Sequence, residues 1–132
     1  MSRTRSSVDK LIETAVHELL DSRAESRIYV FLLRNKEARS DDIIRGTNLH
    51  PSTVRELLSK MYTRKIIFRK KIRTESIGKN PYLYQAVPPI VLLRRRVKIL
   101  EMRLNNIARL TRSPNDVTSV VQITIDQTEA DR

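Results

Sequence analysis

The chain of 132 residues has no cysteine, two glycines and an aromatic content of 5%. Without cysteine there is neither a disulfide framework nor a zinc site with thiolate ligands. The glycines, Gly46 and Gly78, are too few for the glycine-rich loops that cradle phosphates, and the sequence has no P-loop, HExxH or nucleophile-elbow motif. We therefore predict a protein that is not an enzyme and that holds no cofactor or metal.

Long apolar runs are missing as well. No segment approaches the length of a membrane-spanning helix, and residues 1–7 are basic and polar without an apolar signal region. A hydrophobic fraction of 39% in regular patterns predicts a folded, cytoplasmic protein with one domain and an accessory element. The two histidines lie on different segments, which predicts His17 on a helix surface and His50 as a helix cap beside phosphate.

Positive charge is abundant and unevenly distributed. The formal net charge is +11, and residues 51–87 contain nine basic and two acidic side chains. Residues 1–24, in contrast, contain four of each sign. Such a concentration of charge favours a polyanionic partner.

Two amphipathic segments open the chain. Apolar residues recur at helical spacing over residues 8–20, with Ser7 as a candidate cap, so residues 1–24 are predicted to be a helical packing or dimerisation element. Residues 25–36 are more apolar and are predicted to form the central buried helix of the following domain.

The segment after Ser40 has the order of a helix-turn-helix. Ser40 is a candidate N-cap, and Gly46 is well placed as the C-cap of the same short helix. Pro51 suits a first helical position, which leaves His50 as the cap of the next helix. Apolar residues then recur at i, i+3, i+4 and i+7 and give one stripe, formed by Val54, Leu57, Leu58 and Met61.

After Lys65 the periodicity changes from 3.6 to 2, which indicates a strand. Ile66, Phe68 and Ile72 are predicted to form its apolar face. A polar loop over residues 73–81 separates it from a second strand, residues 82–87, so the two strands form a basic hairpin. The fold class predicted is mainly α with a small β-hairpin (α+β), a winged helix-turn-helix over residues 25–89.

In a helix-turn-helix the N-terminal residues of the second helix face base edges in the major groove. The polar residues there are therefore candidates for base contacts: Ser52, Thr53, Arg55 and Glu56. The remaining polar and basic residues of the helix, its cap and the hairpin are candidates for contacts with the DNA backbone: His50, Ser59, Lys60, Arg64, Lys65, Arg69, Lys71, Arg73 and Lys79.

Residues 90–112 have a heptad pattern with alternating spacings of three and four. This pattern favours a two-stranded, parallel coiled coil in a homodimer, although the stripe could instead cover its own domain. The candidate dimerisation residues are Ile90, Leu93, Val97, Leu100, Leu104 and Ile107. Residues 113–132 form an acidic tail with β propensity in its middle, which either adds a strand to a neighbour or stays loose until a partner such as the transcription machinery binds.

The sequence HPSTVRELLSKM, followed by GKNPYLYQAVPP, resembles small archaeal winged helix-turn-helix transcription regulators. The resemblance covers residues 42–89, and the size and layout are similar to euryarchaeal regulators of archaellum expression. It implies a promoter-binding regulator, with activation of motility genes as the specific expectation. The same resemblance implies base contacts by Ser52, Thr53, Arg55 and Glu56, and wing contacts by Arg73 and Lys79.

The leading functional hypothesis is sequence-specific binding of double-stranded DNA by a homodimer. One alternative is binding of structured RNA, or of any nucleic acid without sequence choice. Another is a protein-interaction adaptor that works through the heptad helix and the tail.

Overall fold

A computed structural model describes residues 7–72, 82–111 and 120–126. Within them the chain forms five helices and one two-stranded antiparallel hairpin. It divides into two compact units, Met1–Pro88 and Pro89–Arg132. The elements are α1 (Ser7–His17), α2 (Arg23–Asn35), α3 (Ser40–Thr47), α4 (Pro51–Thr63), β1 (Ile67–Lys71), β2 (Tyr82–Ala86) and α5 (Pro89–Thr111).

Helix α2 is the centre of the first unit, as predicted. It begins after Ser22, whose hydroxyl accepts a hydrogen bond from the Glu25 backbone N–H at 3.1 Å. Ile28, Tyr29 and Leu32 are buried almost completely. Burial of such side chains stabilises the fold by about 1.5–3 kcal/mol each. The other fully or almost fully buried apolar residues of this unit include Ile43, Val54, Leu58, Met61, Ile67 and Val87.

Helix α3 differs from the prediction at both ends. Ser40 is the first helical residue rather than the cap, because Arg39 is the N-cap and its backbone N–H donates to the Asp42 carboxylate at 3.2 Å. Gly46 lies inside the helix, and the left-handed C-cap is Asn48, with φ 58°. An asparagine tolerates this conformation because its short polar side chain bonds locally.

The reason for glycine at position 46 is a close approach between α2 and α3. A Cβ atom there would lie 1.9 Å from Cε1 of Phe31. Gly46 is therefore required by the contact between two helices and not by the end of one.

The hairpin pairs Ile67 with Ala86 and Lys71 with Tyr82. Ile66, just before β1, is buried as predicted. Within β1 the predicted apolar face is wrong, since Phe68 is 53% exposed while Ile67 is 1% exposed. Both residues are apolar, so alternation alone did not choose between them. The pairing puts Ile67 on the same face as Tyr84, which is buried and exchanges backbone hydrogen bonds with Ala38.

The predicted first helix is present but shorter at its C-terminal end. Helix α1 ends at His17, and the chain continues through turns to Leu20. Val16 and Leu20 are buried, whereas Leu11 is 70% exposed and Ile12 is also exposed. Only part of the predicted apolar stripe therefore packs within the first unit.

In the second unit, α5 spans Pro89–Thr111, within one residue at each end of the predicted heptad helix, 90–112. Residues 120–126 have no regular secondary structure and are held to this helix by side chains. The Asn105 amide accepts from the Val121 backbone N–H at 2.7 Å and donates to its carbonyl at 3.2 Å, and Glu101 accepts from the Ile123 N–H at 3.1 Å. No helix in the described ranges is both long and apolar enough to cross a membrane.

Candidate nucleic-acid interface

The N-terminus of α4 is capped as the sequence predicts. His50 has extended backbone angles, and its Nδ1 accepts from the Ser52 backbone N–H at 3.2 Å and lies 2.8 Å from the Ser52 hydroxyl. Pro51 occupies the first position, where its missing N–H has no intrahelical partner. The ring and the hydroxyl are both exposed, so they form a polar edge at the start of the helix.

One face of α4 is buried and the opposite face is open to solvent. Val54, Leu58 and Met61 are buried, while Arg55 and Glu56 are exposed. This separation follows from the spacing of the apolar residues, because residues three and four positions apart lie on the same side of a helix. Of the four predicted base-contacting residues, Ser52, Arg55 and Glu56 are exposed and Thr53 is half-buried.

The charges on the exposed face are not equivalent. The Glu56 carboxylate lies 3.4 Å from the Lys60 ammonium, and both side chains are well exposed. Arg55 forms no ion pair within the described residues. Its guanidinium is therefore available to an external partner.

Arg64, at the C-terminus of α4, is committed to carboxylates of its own unit. Its Nη1 atom lies 3.1 Å from Glu25 Oε1 and 2.9 Å from Asp21 Oδ2. The Glu25 side chain is buried, and its second oxygen accepts from the Asp21 backbone N–H at 3.2 Å. A buried carboxylate needs such partners, so Arg64 ties the end of α4 to the start of α2.

The next residue, Lys65, turns the chain from α4 into the hairpin. It adopts a left-handed conformation with φ 60°. Its backbone N–H donates to the Tyr62 carbonyl, and the N–H of Ile66 donates to the Met61 carbonyl at 2.9 Å. This is the Schellman pattern, in which glycine is the usual residue at the left-handed position.

Arg69, in β1, contacts the rings of two tyrosines. Its guanidinium carbon lies 3.8 Å from the centroid of the Tyr62 ring and 4.4 Å from that of Tyr82. Such cation–π contacts contribute about 0.5–1 kcal/mol at exposed sites. The sequence did not indicate this pair of tyrosines, because Tyr62 and Tyr82 belong to different elements and meet only in the fold.

The described part of the hairpin is basic along β1. Arg69, Lys70 and Lys71 follow one another and are all exposed. Lys70 was not among the predicted backbone contacts, although it continues the same run. The predicted wing contacts Arg73 and Lys79, like Gly78, lie outside the described residues.

The comparisons with known proteins agree with this architecture. Residues 22–90, just over half of the chain, match the family model described as sugar-specific transcriptional regulator TrmB. The chain belongs to the TrmB family. This TrmB-family protein is thus a transcriptional regulator of winged-helix type, and no curated protein matches it significantly.

Among solved structures, a possible transcriptional regulator from Methanosarcina mazei Go1 has a TM-score of 0.61 to the TrmB-family chain. It is 18% identical, with 82% of this chain and 91% of that chain covered. RV1404 from Mycobacterium tuberculosis has a TM-score of 0.48 at 14% identity, with 86% of this chain and 87% of that chain covered. Lactococcus lactis ZitR in complex with DNA has a TM-score of 0.42 at 12% identity, with 79% of this chain and 80% of that chain covered. The first of these similarities shows a shared fold.

Proposed function

We propose that this TrmB-family protein is a homodimeric, sequence-specific regulator that binds double-stranded DNA through α4 and the adjoining hairpin. The observation that carries the proposal is the division of α4 into a buried apolar face and an open polar face. The basic strand β1 continues from the same helix. A duplex presents bases and phosphates at the spacing that such a helix and strand can contact together.

In this proposal the first two turns of α4 enter the major groove. Arg55 reads guanine, because a guanidinium can donate to O6 and N7 together. Ser52, Thr53 and Glu56 refine the choice of base, with the Ser52 hydroxyl held by His50. The half-burial of Thr53 directs it toward the edge of the contact rather than its centre.

Contacts with the phosphate backbone supply affinity without sequence choice. Arg64 is better suited to hold α4 in position than to contact phosphate, because its guanidinium already pairs with Asp21 and Glu25. Arg73 and Lys79 keep their proposed role at the wing. The proposed phosphate contacts within the described residues are His50, Ser59, Lys60, Lys65, Arg69, Lys70 and Lys71.

Homodimerisation is proposed through α5. The tail segment lies along the side of the helix that bears Glu101 and Asn105. Most of the heptad stripe stays open, with Leu100 48% and Ile107 58% exposed. An apolar stripe of this length favours a second helix. The proposed contact residues are Ile90, Leu93, Val97, Leu100, Leu104 and Ile107.

Selection of binding sites from random duplexes, together with measurement of the mass in solution, tests the proposal. A homodimer predicts two related half-sites whose centres lie about 34 Å apart, one helical turn, or a multiple of it. A monomeric protein on a single site would contradict the α5 pairing. Absence of any enriched motif would contradict sequence-specific binding.

Structured RNA is the second candidate partner, and the exposed basic strand is the observation that favours it. Single-stranded RNA is a less suitable partner, because its bases usually stack on free aromatic rings. Tyr62 and Tyr82 are instead engaged with Arg69. Competition between the selected duplex and bulk RNA at physiological salt separates the two functions, since preference for RNA would exclude the first.

The tail is the proposed contact with the transcription machinery. Deletion of residues 113–132 should abolish regulation while DNA binding is retained. Loss of DNA binding in the same deletion would instead assign the tail a structural role.

The specific regulatory role that we propose is activation of archaellum genes, as in the archaellum expression regulator EarA. The support is the resemblance of the wing exit GKNPYLYQAVPP. Chromatin immunoprecipitation of the protein in its own cells tests it. Enrichment upstream of archaellum genes is the expected result, and enrichment confined to other promoters would refute the assignment.

A further inference from the structure

A cavity of about 380 Å³ lies between α1 and α2. Four residues of α1 and three of α2 line it, so it belongs wholly to the first unit. None of these residues is among the proposed DNA contacts. The volume lies in the range of sites that hold small molecules.

The lining carries an excess of positive charge. Lys10, Arg23 and Arg27 contribute three cationic groups, and Glu13 is the one carboxylate among the lining residues. Cations that converge on a partly enclosed space attract an anion more strongly than they would on an open surface. The charge of the cavity therefore favours an anionic ligand.

Two nitrogen atoms at this cavity are buried without a partner. Arg27 Nε and His17 Nδ1 are both inaccessible to solvent and have no hydrogen-bond partner in the described part of the chain. Buried polar groups in folded proteins are nearly always hydrogen-bonded, because leaving one unpaired is unfavourable. Arg27 Nε can only donate, so it lacks an acceptor, and because it has almost no accessible surface a ligand oxygen would reach it only after neighbouring side chains move.

Two hydroxyl groups in the lining point to a second property of the ligand. The Thr14 hydroxyl donates to the Lys10 carbonyl at 2.8 Å, and the Ser26 hydroxyl donates to the Ser22 carbonyl at 3.0 Å. Since each proton is already used within its own helix, each oxygen can offer only lone pairs. These two groups match hydroxyl donors on a ligand and do not match a bare anion.

We propose that the cavity between α1 and α2 binds a small hydroxylated anion, of the class of polyol phosphates and hydroxycarboxylates. Arg27 contacts the anionic group, and Lys10 and Arg23 attract it from the exposed rim. Thr14 and Ser26 accept hydrogen bonds from the ligand's hydroxyl groups.

Arg27 also connects the cavity to the helix-turn-helix. Its Nη2 atom donates to the carbonyl of Thr47, the last residue of α3. The turn from α3 to α4 follows directly. A ligand that contacts the same guanidinium would therefore influence the position of α4, and this regulatory consequence rests on the proposed DNA-binding function.

Calorimetric titration of the DNA-free protein with glycerol 3-phosphate and with glycerate tests the ligand class. Saturable binding of either one is expected, and it identifies the phosphate or the carboxylate as the preferred anion. Uncharged glycerol should not bind, and inorganic phosphate should bind more weakly than the better of the two probes. The proposal is overturned if neither probe binds, if glycerol binds as well, or if inorganic phosphate binds equally tightly.

The double variant Lys10→Gln/Arg23→Gln locates the site. Both side chains are exposed, so the fold should be kept, and circular dichroism checks this. The variant should bind the probe at least about tenfold more weakly, because two charged groups are lost. Arg96→Gln/Lys98→Gln, which removes two exposed charges from α5, is the matched control and should bind normally. Equal affinity of the double variant and the control would refute the site.

Repeating the titration with the selected duplex present tests the ligand site separately from the proposed DNA-binding function. A change in probe affinity on DNA binding supports the link through Arg27. Binding of the probe by a protein that binds no DNA would refute the proposed function while leaving the ligand site in place.

Discussion

Arg69 contacts both Tyr62 and Tyr82, with its guanidinium carbon 3.8 Å and 4.4 Å from the two ring centroids. Tyr62 is near the end of α4 and Tyr82 begins β2, so one side chain of β1 joins the proposed recognition helix to the hairpin. Arg69 nevertheless remains exposed, so it can still donate hydrogen bonds to a partner. A guanidinium that two aromatic rings hold in place suits contact with phosphate.

The stack should contribute measurably to stability. Arg69→Ala is expected to lower the free energy of unfolding by about 1 kcal/mol, because both aromatic contacts are lost. A double-mutant cycle with Tyr62→Leu, measured by chemical denaturation, should give a coupling energy of about 0.5–1 kcal/mol. Strictly additive effects of the two substitutions would show that the contact is energetically neutral.

Arg55 and Lys71 should affect DNA binding in different ways. Arg55→Ala is expected to relax the choice of base at one position of the selected site, at a loss of about 1–3 kcal/mol in binding free energy. Lys71→Ala should weaken binding to all duplexes equally. It should also reduce the slope of log binding constant against log salt concentration by about one, the share of one phosphate contact.

Binding-site selection and salt titrations with both variants measure this difference. Lys98→Gln serves as a charge-matched control outside the proposed contacts. If Arg55→Ala selects the same motif as the unmodified protein, Arg55 does not read a base.

Gly46→Ala should destabilise the protein even though alanine is the better helix former. The added Cβ atom would lie 1.9 Å from Cε1 of Phe31, so the ring must move. Overpacking of this kind costs about 1–3 kcal/mol, more than the roughly 1 kcal/mol gained from helix propensity. Chemical denaturation measures the loss, and Gly46→Ala/Phe31→Leu should recover part of it. A gain in stability from Gly46→Ala alone would contradict the close approach.

Lys65→Gly should have the opposite effect. Lys65 holds φ 60° in the Schellman turn, where a side chain costs about 1 kcal/mol or more relative to glycine. Relief of that strain should raise the melting temperature. Lys65→Ala is the control, because it removes the same charge and keeps the strain. Equal melting temperatures for the two variants would exclude this explanation.

Tyr29 should make stability depend on alkaline pH. Burial raises the pKa of Tyr29 from 10.0 to about 12, and its hydroxyl donates to the Val87 carbonyl. Because the folded pKa is above the unfolded value, this contribution is complete below pH 10 and is lost as the pH rises toward 12. Tyr29→Phe should lower the free energy of unfolding by about 1 kcal/mol at neutral pH. The variant should then lose less stability than the unmodified protein as the pH rises from 10 toward 12. Melting curves of both proteins from neutral pH upward test this, and parallel losses would contradict it.

The helices could be predicted from the sequence because their signals are local. Pro51 and His50 identify the start of α4, and the spacing of Val54, Leu58 and Met61 identifies its buried face. These features depend on residues within a few positions of one another. The same holds for the central helix, which residues 25–36 predict by composition alone.

The features that were missed depend on distant contacts. Gly46 could pass for a helix end because its contact with Phe31 exists only once α2 and α3 have packed. Ile67 is buried instead of Phe68 because the pairing with β2 and the bridge from Tyr84 to Ala38 choose the inner face. Arg64 likewise looks like any basic residue until the fold brings it to Glu25.

The two hydrogen bonds between Asn105 and the backbone of Val121 make the attachment of the tail depend on one amide group. An amide is the only form of this side chain with both the donor and the acceptor that the contact uses. Spontaneous deamidation would turn it into a carboxylate, which would still accept from the Val121 N–H but would repel the carbonyl beside it. Such a change in one side chain would thus weaken the attachment of the segment to α5 and leave the bond from the Ile123 N–H to Glu101 to hold it.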